Sequence, residues 1–194
     1  MKNLFLLLLF LNFSAHAQWV ELFNGRDLTG WKASENPSSF QISNGELVIE
    51  GPRGHLFYDG PVGDHSFKNF EVKALIKTYP GANSGLYVCT AFQPSDWPSQ
   101  GHEIQVNNSH TDWRRTASLY GIIDTAEKLV HDEEWFELYV KVEGKHITTK
   151  INGRAVVEYD EPADKKRIQP GTIAIQAHDP KSKIAYKSIQ VRLN

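Results

Sequence analysis

The sequence has a single cysteine, Cys89, so no internal disulfide can form. One thiol in an otherwise cysteine-free chain reads as a small apolar residue of the core or of a site wall. Charge of one sign is also lacking: 21 Lys and Arg stand against 23 Asp and Glu, for a net charge of -2. With its basic residues scattered, the chain gives no electrostatic basis for binding nucleic acid or an anionic membrane surface. There is no Gly-rich phosphate loop, no Gly-x-Ser-x-Gly and no His-Glu-x-x-His. No stretch sustains a 3.6-residue apolar period, which excludes a helical bundle. Only one turn of helix is expected, near Ala163 to Arg167. No apolar run is long enough to span a bilayer as a permanent helix.

What is present begins with an address. Lys2 is followed by the apolar run Leu4 to Leu11 and then by the small-x-small triplet Ala15-His16-Ala17. That order is expected of a secretory signal peptide over residues 1–17, leaving a periplasmic or secreted domain over 18–194. The mature length suits one domain with a core of its own.

Short alternating runs follow, cut by turn residues. Asn44-Gly45 separates Gln41-Ile42-Ser43 from Glu46-Leu47-Val48-Ile49, and Asn152-Gly153 separates Ile147–Ile151 from Ala155–Tyr159. Asn-Gly between alternating runs is the strongest short hairpin signal. Gly144-Lys145 makes a third such break after Phe136–Val142, and Phe70–Lys77 and Ile184–Leu193 alternate as well. About a dozen closely spaced strands predict an all-β sandwich of two antiparallel sheets, the jelly-roll solution.

Three strands carry polar residues on the face turned from the core. In His102–Asn107, Ile104 and Val106 point in, so Glu103, Gln105 and Asn107 point out together. Amides that donate and accept, beside a carboxylate, are suited to reading sugar hydroxyls. In Thr172–His178, Gln176 shares a face with His178, which Asp179-Pro180 follows. In Asn83–Thr90, alternation sends Leu86 and Val88 inward and Tyr87 and Cys89 outward. Nearby loops hold Arg53 and His55, then Trp97, then His110, Trp113 and Arg114. Such loops on one rim of a rigid sandwich are where function tends to sit. A retaining glycosidase needs two carboxyl groups about 5 Å apart. The Glu103 row offers one acid, which disfavours ordinary two-carboxylate hydrolysis.

Leu22-Phe23-Asn24-Gly25-Arg26-Asp27-Leu28-Thr29-Gly30-Trp31 resembles the opening signature of the 3-keto-disaccharide hydrolase domain family. Asn83–Tyr87, Gly101–Asn108, Thr116–Tyr120, Glu134-Trp135-Phe136 and Gly171–Pro180 resemble its later motifs, in order. The resemblance covers nearly all of the mature chain. It implies a concanavalin A-like jelly roll and an oligosaccharide or glycoside substrate already oxidised at carbon 3 by a partner sugar 3-dehydrogenase. A C3 ketone acidifies the C2 proton; its removal lets the C1 substituent leave by elimination, and water can complete a net hydrolysis. On this reading Glu103 and His178 are the acid–base pair. Gln105, Asn107, Gln176 and Tyr120 hold hydroxyls, and Arg53, His55, His110, Arg114 and Trp97 are rim contacts. A divalent metal ion is one way to stabilise the C3 oxygen; Arg or amide donors are another. Many members carry Asp near the position of Asn107 and Arg near that of Cys89, so a metal site does not transfer residue by residue. The alternative class is a non-catalytic carbohydrate-binding domain on the same fold, with Trp31, Trp97 and Trp113 as stacking platforms. Since nothing is appended to the domain within the chain, an enzyme is the expected reading.

Overall fold

The computed structural model describes residues 18–194. The expected signal peptide lies outside the described residues. Thirteen strands run in chain order: β1 (Val20–Glu21), β2 (Trp31–Ala33), β3 (Phe40–Ser43), β4 (Glu46–Glu50), β5 (Gly54–Tyr58), β6 (Phe70–Thr78), β7 (Ser84–Thr90), β8 (His102–Val106), β9 (Phe136–Glu143), β10 (His146–Ile151), β11 (Arg154–Asp160), β12 (Thr172–Ala177) and β13 (Lys183–Leu193). They form two antiparallel sheets, as the alternation predicts. The larger has the order β11-β10-β9-β6-β13-β4-β3, with β1 added beside β13; the smaller has the order β2-β5-β12-β7-β8.

The core lies between the sheets. Phe70, Val72, Ile76, Leu138, Val140 and Ile189 come from the larger sheet, and Leu56, Leu86, Ile104, Ile173 and Ile175 from the smaller; all are fully buried. Each is one of an alternating set, so each strand places one face in the core and leaves the other free. The three hairpins sit at the expected turns. Asn44 and Gly45 both adopt positive φ, and so do Asn152 and Gly153. Both residues of a type I′ turn require this, and it explains the dipeptide. Registers are tight: Ser43 pairs with Glu46, Ile151 with Arg154 and His146 with Glu143.

Two expectations are corrected. Residues 163–167 form no helix; the short 3-10 turns lie at Pro37–Ser39 and Val62–His65. The amides of Arg167 and Ile168, which a continuing helix would use, are taken by Glu161 Oε1 at 2.8 and 2.9 Å. Cys89 does not follow the alternation. Its φ is +57°, and the β12–β7 register slips there, from Ala174 opposite Tyr87 to Thr172 opposite Thr90. This bulge sends both Val88 and Cys89 into the core. Gly101 and Gly171 pack against its backbone so closely that a Cβ at either would collide with it. Burial pushes the Cys89 thiol up to about 12, so it holds its proton and is inert.

Among the described residues, no helix is long and apolar enough to cross a membrane.

Candidate active site

The outer face of the five-stranded sheet carries the polar rows. Register places Phe57, Ala174, Tyr87 and Glu103 side by side across β5, β12, β7 and β8. The next row holds His55 beside Gln176 and Gly85 beside Gln105. Gly85 leaves a gap between the two glutamines, and the Glu103 side chain folds into it. A Cβ at Gly85 would sit 2.8 Å from Glu103 Cγ and closer still to its carboxyl.

The result is a groove of about 320 Å³, lined by Asn83, Tyr87, Trp97, Pro98, His102, Glu103, Gln105, Tyr120, Arg167, Gln176 and His178. It brings together six residues singled out in the sequence: Glu103, His178, Gln105, Gln176, Tyr120 and Trp97. Two strand spacings, roughly 10 Å, separate β8 from β12. Glu103 and His178 nonetheless line the same groove, because the Glu103 side chain reaches across β7 to Gln176 on β12.

Glu103 is held at both oxygens. Tyr87 Oη donates to Oε2 at 2.8 Å, and Gln176 Nε2 donates to Oε1 at 3.1 Å. Burial disfavours the carboxylate, while the two hydrogen bonds favour it. Burial wins, and the carboxyl is raised from 4.5 to about 7. A group that is half ionised near neutral pH is suited to accepting and returning a proton. Among the described lining residues, Glu103 is the one carboxylate.

The amides are arranged around it. Gln176 Nε2 also donates to Tyr87 Oη at 3.1 Å, which uses both its hydrogens, and Gln105 Nε2 donates to Asn83 Oδ1 at 2.8 Å. The oxygens Gln105 Oε1 and Gln176 Oε1 are buried with no partner. Leaving a buried acceptor unmade costs about 1–3 kcal/mol. Both belong to lining residues, but the oxygens themselves have no accessible surface and lie within the groove wall.

His178 Nδ1 meets Asp179 Oδ2 at 2.7 Å. Burial raises Asp179, but bonds from His178, the Lys181 amide and Ser182 outweigh it and hold the carboxyl below its usual range. An ionised partner fixes the proton on Nδ1 and leaves Nε2 for the groove. Trp97 packs at 5.6 Å from the His178 ring and 5.6 Å from that of His55.

The other expected contacts stand behind the wall. His55 is fully buried, lies edge-on to Tyr87 at 5.4 Å and is pushed down to about 4 by burial, so it is neutral packing beneath Tyr87 and Trp97. Arg53 bonds Glu35 at 2.8 Å and Asp96 at 3.0 Å and lies under Trp97, so it holds the tryptophan loop. Asn107, expected to hold a hydroxyl, is fully buried and has no capacity left. Its Nδ2 donates to the carbonyls of Asp112 and Arg114, and its Oδ1 accepts from the His110 amide and Arg115. Asn107 thus shapes the 108–116 loop. Within that loop, His110 Nδ1 accepts from the Asp112 amide at 3.0 Å, and the ring packs 5.7 Å from His178. Arg114 bonds Asp124 at 3.0 Å and lies 4.7 Å over the Tyr120 ring, fixing that ring at the rim.

Sequence reading missed Tyr87, Asn83, His102 and Arg167 as site residues. Tyr87 shares a face with Gly85, which alternation reveals; that it meets Glu103 depends on cross-strand register. His102 lies below the floor with its Nε2 3.6 Å from Glu161 Oε1, and both side chains are buried.

A metal held by the protein does not fit these residues. Among the described residues, no cluster of three or more His, Cys, Asp or Glu is placed to hold one. The position that offers Asp in many members is Asn107 here, and its oxygen is already taken twice.

Comparison with known proteins agrees with this fold. A curated 3-keto-disaccharide hydrolase of Bacteroides thetaiotaomicron is 25% identical over 168 residues, covering 73% of this chain and 58% of that protein. The chain thus spans little more than half the length of that relative. A Parabacteroides distasonis crystal structure described as a glycosyl hydrolase superposes with a TM-score of 0.76 at 21% identity, over 91% of this chain and 94% of that one. A carbohydrate-binding module of Bacillus subtilis superposes with a TM-score of 0.62 at 9% identity, over 84% and 95%. These two likenesses establish the shared fold. The family model of the 3-keto-alpha-glucoside-1,2-lyase-like domain matches residues 18–192, and the chain belongs to that family.

Proposed function

We propose that this protein is exported and cleaves 3-keto-glycosides by removing the C2 proton and expelling the C1 substituent. The observation that carries the reading is the solitary Glu103 carboxyl, raised to about 7 in a groove of amides. Two-carboxylate hydrolysis needs a second acid across the bond; elimination from a ketone needs one base, one acid and donors to the enolate oxygen.

In this scheme Glu103, ionised, takes the C2 proton. The C2–H electron pair forms a C2–C3 double bond as the ketone oxygen takes up the charge; return of that charge makes the C3 carbonyl again, moves the pair into the C1–C2 double bond and breaks the C1–O bond. His178 gives the departing oxygen a proton, with Asp179 fixing the ring through Nδ1. The amides of Asn83 and Gln105, which line the same groove, are the donors to the enolate oxygen at C3. Tyr120 at the rim meets the sugar hydroxyls, and Gln176 holds Glu103 in place. Addition of water across the double bond completes a net hydrolysis. The ketone must be made beforehand by a sugar 3-dehydrogenase, which makes such an enzyme the functional partner. The family membership and the hydrolase name of the Bacteroides relative support this substrate class.

The second reading is a carbohydrate-binding domain. The half-exposed Trp97 and Tyr120 at the rim and the likeness to a binding module favour it. Glu103→Gln separates the two. Elimination predicts a loss of roughly 10³-fold in turnover with sugar affinity kept. An unchanged rate would remove Glu103 from the chemistry.

A further inference from the structure

We infer that the groove selects an anionic sugar, a glycoside of a hexuronic acid, and that Arg167 is the residue that holds its carboxylate. This deepens the function proposed above and rests on its carbohydrate reading. Arg167 lines the groove and is exposed. The other two arginines of the rim are taken up: Arg53 by Glu35 and Asp96, Arg114 by Asp112 and Asp124. Among the described residues, the Arg167 guanidinium has no hydrogen-bond or ion-pair partner. A guanidinium is a planar fork of donors that matches a carboxylate with two parallel bonds.

The backbone beneath that side chain is fixed. Glu161 Oε1 accepts from the amides of Arg167 and Ile168 at 2.8 and 2.9 Å, and the Glu161 side chain is fully buried. The segment is thus anchored without using the guanidinium, and a ligand need not order it. The charge around it is positive, although the chain carries a net -2. Lys145, Lys165, Lys166 and Arg167 stand against Glu161 and Asp164. Both carboxylates have cations of their own: Lys145 Nζ lies 3.6 Å from Glu161 Oε2, and Lys165 Nζ 3.4 Å from Asp164. His102, which also lines the groove, is neutral. Burial first, and then the charge of Arg167, hold its ring below the ordinary value.

The topology says which part of the substrate carries the charge. The segment with Arg167 leads into the start of β12, and His178 follows the end of that strand. Arg167 and the residue that serves the departing oxygen therefore belong to opposite ends of the groove. The anion is thus borne by the sugar itself and not by the group that leaves. In a hexuronide the carboxylate is attached at C5, across the ring from C2, where Glu103 acts. That arrangement keeps the two carboxyl groups apart. Glu103 is in any case bonded at both oxygens, by Tyr87 and Gln176, and does not compete for Arg167.

The test is calorimetric binding of two unoxidised sugars to the intact protein, methyl α-glucuronide and methyl α-glucoside. They differ only in carrying a carboxylate or a hydroxymethyl group at C5. The glucuronide is expected to bind about tenfold more tightly, the equivalent of about 1.4 kcal/mol. Arg167→Gln should erase that gain. Its thermal midpoint should stay in place, because the side chain is exposed and supports nothing else. Binding of the glucoside with no gain for the glucuronide, or a gain that survives Arg167→Gln, overturns the anion site alone. No binding of either sugar overturns it together with the carbohydrate reading on which it rests.

Discussion

The carboxyl group of Glu103 occupies the space that a side chain at Gly85 would fill. The two residues sit on neighbouring strands, two residues out of register, since Gly85 pairs with Gln105 and Tyr87 with Glu103. Glycine is needed here for room; its φ is ordinary. The consequence is a carboxyl drawn across β7 towards Gln176, off its own strand and over the centre of the groove.

Gly85→Ala should therefore act on function far more than on folding. The new Cβ forces the Glu103 carboxyl out of its bonds to Tyr87 and Gln176, and a misplacement of about 1 Å can cost 10²-fold in rate. A loss of that order in turnover, with the thermal midpoint moved by only a few degrees, is expected. A variant that turns over normally would show that the position of Glu103 is unimportant.

Tyr87→Phe removes a hydrogen bond that favours the ionised form of Glu103. The carboxyl should then rise further above 7. One bond to a charged group is worth about 1.5 kcal/mol, or roughly one pH unit. If Glu103 must be ionised to act, the rising limb of the pH–rate profile should shift upward by about that amount. A limb that stays in place, or moves down, would assign it to another group.

Glu103 should also leave a mark on stability. Its folded carboxyl holds a proton up to about pH 7, whereas the ordinary value is 4.5. The folded state binds the proton more tightly, so stability falls as pH rises from 4.5 through 7 and falls no further above that. Glutamine does not titrate. Glu103→Gln should thus gain on the native protein between pH 4.5 and pH 8, by on the order of 2–3 kcal/mol. Thermal unfolding of both proteins at pH 5 and pH 8 reads it directly. Equal differences at the two pH values would mean that the burial cost is absent.

Much of this was legible in local sequence. Asn44-Gly45 and Asn152-Gly153 specify their turns because few other pairs tolerate two positive φ values. Alternation places Glu103 and Gln105 on one face and Gln176 and His178 on another strand's matching face. What stayed hidden depends on register and on distant partners. The bulge at Cys89 needs a positive φ at a residue with no local preference for it, and it is fixed by Gly101 and Gly171 from other parts of the chain. Asn107 sits on the polar face as alternation requires, yet the 108–116 loop folds over it and takes its bonds. Arg53 and Arg114 look like ligand-binding cations in sequence. Their carboxylate partners Glu35, Asp96 and Asp124 show that they brace Trp97 and Tyr120 instead.

The central claim is elimination from a ketone-bearing sugar at Glu103. Its most direct test compares p-nitrophenyl α-glucoside with its 3-keto derivative in deuterated water. The account predicts release of nitrophenol from the keto form alone, with deuterium incorporated at C2 of the sugar product. Cleavage of the unoxidised glucoside at a comparable rate, with no deuterium at C2, would contradict it.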